Sequence, residues 1–299
     1  MNVVVDHAPV IDAVARRLTV AGVSSPEVDA RWLVEHVVEV AGDPVGCGAA
    51  LLDGLVARRV RREPLQQIVG RTWFRRLEIG CAPGVFIPRP ETEIVAGLAI
   101  DAALAVRADD GHGQRPRRIV EPCPGTGAIA LSVGVEVPGV LVVASDINPA
   151  AVALASANLD RVRAGSAGAV LAAGSSVEVV QADLLGGVDA AWRGEVDVLV
   201  ANPPYLPSAD RVGWAPEVAD HDPDRALVGG DDGHEVVDAL LAAAVGWLRP
   251  GGAVILEIDE RRADDARRAA RTLGLVDVVV HPDLTGADRA IVARRAVAS

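Results

Sequence analysis

Lysine is absent. All 29 basic residues of the 299 are arginines, set against 41 acidic ones, for a formal net charge of −12. Non-specific DNA binders rely on a basic surface that neutralises phosphate, so this balance disfavours direct DNA binding. The nearest basic run is Arg58, Arg59, Arg61 and Arg62, which reads as the solvated face of a helix. Cysteine is nearly absent: Cys47, Cys81 and Cys123 are odd in number and widely spaced. That pattern excludes a disulfide framework and a Cys-x-x-Cys zinc site, and no metal is expected. With only two Phe and one Tyr, Val, Ala and Leu must fill the core. No apolar run reaches about 18 residues without a charge or turn breaker, so no membrane span is expected. Asp6 and Asp12 interrupt what a signal peptide would keep apolar. A cytoplasmic protein is the expectation.

What is present is an alternation of helix and strand patterns. Val10, Val14 and Leu18 recur at helical spacing. Ser25-Pro26 reads as a cap with Pro at the first helical position, followed by a stripe of Leu33, Val37 and Val40. A third helix, 49–62, places Leu51, Leu52, Leu55 and Val56 on one face. Residues 1–63 thus form a small helical domain. Pro and Gly punctuate 64–90, which reads as a hairpin linker. The remainder, 91–299, opens with a helix over 91–106 and a polar loop over 108–118. Strands are then predicted at 118–121, 140–145, 177–181, 196–201, 253–258, 276–280 and 290–294, with Arg249-Pro250-Gly251-Gly252 as a turn before the fifth. Helices separate the first members of that series, and the Ala/Gly/Ser-rich stretch 164–176 reads as a mobile loop. Such alternation predicts an α/β fold with a mainly parallel sheet covered on both faces.

The chemistry gathers where strands end. Asn202-Pro203-Pro204-Tyr205 follows the apolar run 196–201, which places it in the crevice where open α/β sheets bind ligands. A planar NH2 group is a poor nucleophile because its lone pair is delocalised. An Asn carbonyl and a neighbouring backbone carbonyl can accept both of its hydrogens and leave the lone-pair face free. Two prolines hold such carbonyls rigidly without adding donors, and Tyr205 offers a stacking surface. A Pro-rich turn with Tyr205 as packing is the plainer alternative. Upstream, Glu121-Pro122-Cys123-Pro124-Gly125-Thr126-Gly127 turns the first strand of the sheet into a helix, letting a ligand approach backbone at Gly125 and Gly127. Asp146, followed by Ile147, ends the second strand where a carboxylate can hold a ribose diol; a helix-capping role is the alternative. Asp183, followed by Leu184, can receive an adenine amino group or simply form a turn. No complete Gly-x-Gly-x-x-Gly and no P-loop lysine is present. A nucleoside without phosphate, S-adenosylmethionine, is therefore preferred over NAD or ATP.

With these motifs the chain resembles the HemK/PrmC family of protein-(glutamine-N5) methyltransferases along nearly its whole length. Pro64-Leu65-Gln66-Gln67-Ile68-Val69-Gly70 is similar to that family's domain junction, and Phe86-Ile87-Pro88-Arg89-Pro90-Glu91-Thr92-Glu93 to its linker signature. Gly125-Thr126-Gly127-Ala128-Ile129-Ala130 resembles the cofactor loop, Asn202 to Tyr205 the amide-binding motif, and Arg225-Ala226-Leu227 with Gly229-Gly230 a further segment. The tetrapeptide alone is shared with DNA adenine-N6 methyltransferases; the linker signature discriminates. The resemblance implies a Rossmann-like class I methyltransferase sheet of seven strands with a reversed final hairpin, and an N-terminal helical domain that helps dock a protein. It implies methyl transfer from S-adenosylmethionine, leaving S-adenosylhomocysteine, to the glutamine of a Gly-Gly-Gln loop in a peptide-chain release factor, or to a ribosomal protein in a related branch. Asn202, Pro203 and Tyr205 carry the catalytic role in this reading. Glu121, Cys123, Pro124, Gly125, Thr126, Gly127, Asp146, Ile147, Asp183, Leu184 and Asn202 bind cofactor, and Asn202 to Tyr205 with Arg89 bind substrate.

Two positions depart from the family pattern: Cys123 stands at a loop glycine, and Asp259 follows Leu256-Glu257-Ile258 where glycine is usual. A Cβ makes positive φ costly, and Pro124 restricts the residue before it, so the loop is expected to shift its path or bind cofactor less tightly. These departures suggest a divergent paralogue. Two other functions compete on this reading: an N-methyltransferase of another amide or amine, in a metabolite or nucleic acid, and a non-catalytic interaction protein on the same scaffold.

Overall fold

The computed structural model describes residues 7–106 and 115–297; most of the polar loop expected at 108–118 lies outside them. In chain order the elements are α1 (Ala8–Val20), α2 (Pro26–Ala41), α3 (Ala49–Val60), α4 (Leu65–Val69), β1 (Arg71–Phe74), β2 (Leu77–Gly80), α5 (Thr92–Ala105), β3 (Arg117–Pro122), α6 (Ala128–Glu136), β4 (Val140–Asp146), α7 (Pro149–Arg163), β5 (Ser176–Gln181), β6 (Val196–Ala201), α8 (Pro216–Ala219), α9 (Asp224–Leu227), α10 (Glu235–Trp247), β7 (Leu248–Glu257), α11 (Ala263–Thr272), β8 (Leu275–Pro282) and β9 (Asp288–Arg295). They divide into two units. One comprises Met1–Arg71 with Ala215–His221, the other Thr72–Trp214 with Asp222–Ser299.

The first unit buries Val14 and Leu18 of α1, Leu33, Val34 and Val37 of α2, Leu52, Leu55 and Val56 of α3 and Ile68 of α4 in one cluster. Val40, expected in the α2 stripe, is exposed. The helix ends one residue later, at Ala41, with Gly42 in the left-handed conformation, so its last turn leaves the cluster. The arginine run is also less solvated than its pattern predicts. Arg59 is only 5% exposed; its guanidinium donates to Asp29 at 2.6 Å and pairs with Glu217 at 2.9 Å. Arg62 adds a fork to Glu217 at 2.8 and 2.7 Å. Carboxylates brought in from distant sequence thus draw inward a face that helical periodicity alone assigns to water. The short α8, which carries Glu217, gave no sequence signal because four residues show no period.

The second unit is built on a seven-stranded sheet of order β5-β4-β3-β6-β7-β9-β8. Pairings from β5 through β7 are parallel, and β9 runs antiparallel to both β7 and β8. This is the seven-stranded, mostly parallel architecture with a reversed final hairpin that the resemblance implies. Successive side chains of a strand face opposite ways, and the core divides accordingly. Ile119, Val198, Val200 and Ile255 pack with α5 and α6 on one face; Val120, Leu199, Ala201, Val254 and Leu256 pack with α10 and α11 on the other. All six residues of β6 are buried, as expected of a central parallel strand; its one charged member, Asp197, is paired with Arg115 and Arg249. Arg249-Pro250-Gly251-Gly252 is part of β7 rather than a turn before it, accommodated by a register shift between Val196 and Val198. The stretch at 164–176 is stitched down rather than loose: Ala167, Ala172 and Ala173 bond to Glu78, Gly134 and Gly139 through the backbone. No helix among the described residues is long and apolar enough to cross a membrane.

The Glu217 contacts set a stability prediction. Burial alone would raise the Glu217 pKa, but the Arg62 and Arg59 guanidiniums outweigh it and hold the carboxyl down at about 2. A depressed carboxylate contributes stability that is present above its ordinary value of 4.5 and is lost as pH falls through the folded value. Glu217→Gln is therefore expected to lower the melting temperature at pH 7 and to flatten its fall between pH 4.5 and about 2. Melting curves that run parallel to wild type across that window would contradict the assignment.

Candidate active site

Strand order reverses between β3 and β6, because the chain adds β4 and β5 to one side of β3 and then returns to lay β6 on the other. Ligands of open α/β sheets bind outside the carboxyl ends of the strands at such a switch point. A cavity of about 360 Å³ lies there. Glu121 and Cys123 reach it from the end of β3, Asp146 from β4, Asp183 from beyond β5, and Asn202 from the end of β6. Four strand ends, read separately in the sequence, meet in one pocket.

In the loop after β3 the cysteine adopts a backbone conformation that favours glycine. Cys123 takes φ 59°, a left-handed conformation that costs a residue with a Cβ about 1–2 kcal/mol, and its N–H donates to Ser145 O at 2.9 Å. The cysteine thus takes up a glycine-like φ and carries the strain locally. Burial, reinforced by the Asp146, Glu121 and Asp183 charges, pushes the Cys123 thiol up to about 12, so it stands in the pocket wall as a neutral, unreactive group. Pro124, Gly125 and Thr126 line the pocket beside it. Gly127 stands outside the lining. At φ 82° it opens α6, and a Cβ there would meet Ala155 at 3.2 Å, so the glycine serves close packing against α7. Glu121 is 1% exposed and accepts from Ala130 N at 2.6 Å.

Asp146 does two jobs. One carboxylate oxygen accepts from Gly125 N at 3.1 Å and the other from Asn148 N at 2.8 Å, tying the β4 end to the β3 loop. Each oxygen keeps a further lone pair for a ligand. Asn148, not Asp146, caps α7, accepting from Ala150 N. Ile147, Leu184, Val85, Phe86 and Ile129 supply apolar wall. Two aspartates, Asp146 and Asp183, and the carboxyl of Glu121, which burial keeps protonated up to about pH 8, line the cavity with one cation, Arg225. This electrostatic balance suits a cationic nucleoside and opposes a pyrophosphate.

At β6 the cavity receives Asn202 and Pro204, whereas Pro203 is buried beneath and Tyr205 turns away. The Tyr205 hydroxyl donates to Glu257 at 3.0 Å and its ring packs against the core. The tetrapeptide is braced from behind by the segment after α9. Leu206 N donates to Leu227 O, Gly229 N to Leu206 O, and Ser208 N to Gly230 O, at 2.9–3.1 Å. A Cβ on Gly229 would lie 2.4 Å from Pro204 O, so only glycine permits that approach. The Arg225–Gly230 segment thereby acquires a physical reason to accompany the tetrapeptide. Arg89 lies outside the pocket lining. Its guanidinium pairs with buried Asp222 at 2.5 Å and stacks on Phe86 at 4.7 Å. Two residues that sequence reasoning did not single out belong to the site: Thr92 in the wall, and Glu257 behind it. Glu257 gave no sequence signal because its partners lie 165 and 52 residues away.

No family model matches the chain. It is 38% identical over 289 residues to a release factor glutamine methyltransferase of Deinococcus radiodurans, covering 94% of this chain and 95% of that protein. It is 39% identical over 288 residues to a release factor glutamine methyltransferase of Streptomyces coelicolor, covering 94% and 95%. The chain belongs to the release factor glutamine methyltransferase family. The resemblance drawn from the linker signature, the β3 loop and the Asn-Pro-Pro-Tyr motif is therefore borne out. Among solved structures, a methyltransferase from Pyrococcus furiosus matches with a TM-score of 0.52 at 19% identity, over 81% of this chain and 99% of that one, a likeness of fold alone.

The pocket's buried acid carries a pH signature. Burial pushes Glu121 from 4.5 up to about 8, against the Ala130 N–H bond that favours its ionised form, and the Asp146 charge adds to the rise. A raised carboxyl contributes stability that is complete below its unfolded value and is lost as pH climbs through the folded one. Glu121→Gln is expected to gain melting temperature relative to wild type progressively from pH 4.5 to about 8. A wild-type-minus-variant difference independent of pH over that window would show that Glu121 does not titrate there.

Proposed function

We propose that this protein transfers the methyl group of S-adenosylmethionine to the side-chain amide nitrogen of a glutamine in a peptide-chain release factor, within its Gly-Gly-Gln loop. The observation that carries the reading is the position of Asn202. Its amide stands at the edge of a pocket whose other walls are a glycine-type loop and the carboxylates of three neighbouring strand ends. The names of the relatives, matched along nearly the full length of the chain, support a release factor over the ribosomal protein of the related branch. That coverage includes the helical unit, to which we assign docking of the protein substrate.

The pocket fits the cofactor by charge and shape. Asp146 offers lone pairs for the ribose diol, Asp183 an acceptor for the adenine amino group, and Glu121, protonated up to its raised pKa of about 8, a carbonyl oxygen for the ammonium of the methionine part. Phe86, Ile129, Ile147 and Leu184 supply apolar contact. When bound, S-adenosylmethionine supplies an electrophilic methyl group on a cationic sulfur and leaves as S-adenosylhomocysteine. The Asn202 Oδ1 accepts one N–H of the substrate amide and the Pro203 carbonyl the other, which fixes the nitrogen with its lone-pair face free. Holding the nucleophile in attack geometry and excluding water supply most of the acceleration. A strong base is not required, since the nitrogen becomes acidic as its new bond forms and releases its proton to solvent. Pro203 and Pro204 hold their carbonyls without competing N–H groups.

Labelled-methyl transfer to a purified release factor tests this. Wild type is expected to label the factor, and to fail on a factor whose loop glutamine is replaced. Asn202→Ala is expected to lose turnover by about 100-fold or more while calorimetric binding of S-adenosylmethionine is kept. Wild-type turnover in Asn202→Ala would overturn the reading.

A further inference from the structure

Behind the Asn202 amide runs a chain of hydrogen bonds that the transfer reaction itself does not call for. The Asn202 Nδ2 donates to Thr92 Oγ1 at 3.1 Å, Thr92 Oγ1 donates to Glu257 Oε2 at 2.7 Å, and the Tyr205 hydroxyl donates to Glu257 Oε1 at 3.0 Å. Three elements distant in sequence contribute: the first residue of α5, the last of β7, and the loop after β6. Thr92 is 3% exposed and Glu257 1%, so water does not substitute for these partners.

The protons can be counted. An ionised carboxylate only accepts, whereas a hydroxyl carries one proton. Glu257 therefore takes the single proton of Thr92 on one oxygen and that of Tyr205 on the other. Having given its proton away, Thr92 Oγ1 can only accept from its remaining neighbour. The group of Asn202 that faces it must then be the NH2, and the carbonyl oxygen must face the other way. Among the described residues Asn202 Oδ1 has no protein partner, which leaves it free to accept. An Asn amide is nearly symmetric in shape, so packing alone distinguishes poorly between the two orientations; the polarity of this chain does so.

We propose that Thr92 and Glu257 are positioning residues that lock the Asn202 amide with its oxygen toward the substrate. The inference rests on the reading of Asn202 as acceptor of the substrate amide N–H. With the relay broken, the amide turns freely, and the flipped form presents two donors to a substrate that is itself a donor. Such a complex binds poorly at the reacting atom while the cofactor pocket stays intact. The same chain gives the Tyr205 hydroxyl a role separate from its ring: it supplies one of the two donors that keep Glu257 an acceptor.

A pH signature follows from the groups around Glu257. Burial raises its pKa; the Thr92 and Tyr205 bonds and the positive charge of Arg289, on β9, oppose the rise, and Glu91, which caps α5, adds to it. Once protonated, Glu257 donates to one hydroxyl and the direction of the relay is lost, so turnover falls on the acid side. Removing the Tyr205 donor raises the Glu257 pKa further and moves that limb to higher pH.

Steady-state methyl transfer by full-length variants tests the relay. Thr92→Val, close to Thr in shape, is expected to lower kcat about 10- to 100-fold, with the calorimetric Kd for S-adenosylmethionine within about twofold of wild type. Thr92→Ser, which keeps the hydroxyl, is expected to restore most of that turnover. Tyr205→Phe is expected to shift the acid limb of the kcat profile upward, and it decides the matter if Thr92→Val fails to fold. Equal kcat in Thr92→Val and wild type, or a Ser variant as slow as Val, overturns the relay, as does an unmoved limb in Tyr205→Phe. Should those results accompany an inactive Asn202→Ala, the relay alone fails; full activity in Asn202→Ala removes the methyl-transfer reading itself.

Discussion

A carboxylate sealed inside a protein must either be neutral or be fully served by donors, and Glu257 at the end of β7 is served by Thr92 and Tyr205. Meeting that demand draws three separate stretches of chain to one point. The start of α5 is fixed against the sheet, the loop after β6 is pinned by its tyrosine, and Asn202 is held between them. The pocket wall at the switch point is therefore not a loop resting on a scaffold; it is anchored to the two central strands through a polar contact that cannot be lost without exposing a buried charge. The close backbone approach at Gly229, where a Cβ would lie 2.4 Å from Pro204 O, fixes the same loop from its outer side.

A second electrostatic feature concerns the ligand. Asp146 and Asp183, at the end of β4 and just beyond β5, make the pocket anionic, consistent with the acidic balance of the chain as a whole. A cofactor carrying phosphates would have to be bound against this field, whereas one carrying a sulfonium and an ammonium is drawn in by it. Cys123 is the local exception to the family pattern, and its conformation shows how it is tolerated: the backbone keeps a glycine-like φ of 59°, at the cost of modest strain, and the buried thiol stays protonated.

Much of this was legible in the sequence because it depends on local patterns. The mostly apolar run 196–201, broken only by Asp197, identifies a central parallel strand, and Asp146, Asp183 and the Gly125 loop sit at strand ends by spacing alone. Other features depend on partners far along the chain. Neither Thr92 nor Glu257 is unusual where it stands; their meaning comes from a contact across 165 residues. Arg59, on α3, and Arg62, two residues past its end, belong to a run that periodicity assigns to water, and Asp29 and Glu217, from α2 and α8, draw them in. Arg89 sits in a signature that points to substrate, yet its charge is held by Asp222 and its plane by Phe86. Tyr205 reads as a stacking surface when its hydroxyl has no known partner; the partner is Glu257. Pro250 and the two glycines after it signal a turn locally but are carried inside β7 by a register shift.

The proposed function places a glutamine amide from a protein substrate against Asn202, with its nitrogen facing the sulfur of the cofactor. The most direct measurement is a crystal structure of this protein with S-adenosylhomocysteine and a peptide containing the Gly-Gly-Gln sequence. The glutamine nitrogen is expected within hydrogen-bonding distance, about 3 Å, of both Asn202 Oδ1 and the Pro203 carbonyl, on the side facing the sulfur. A glutamine bound elsewhere, or an Asn202 amide turned with its nitrogen toward the peptide, would contradict it.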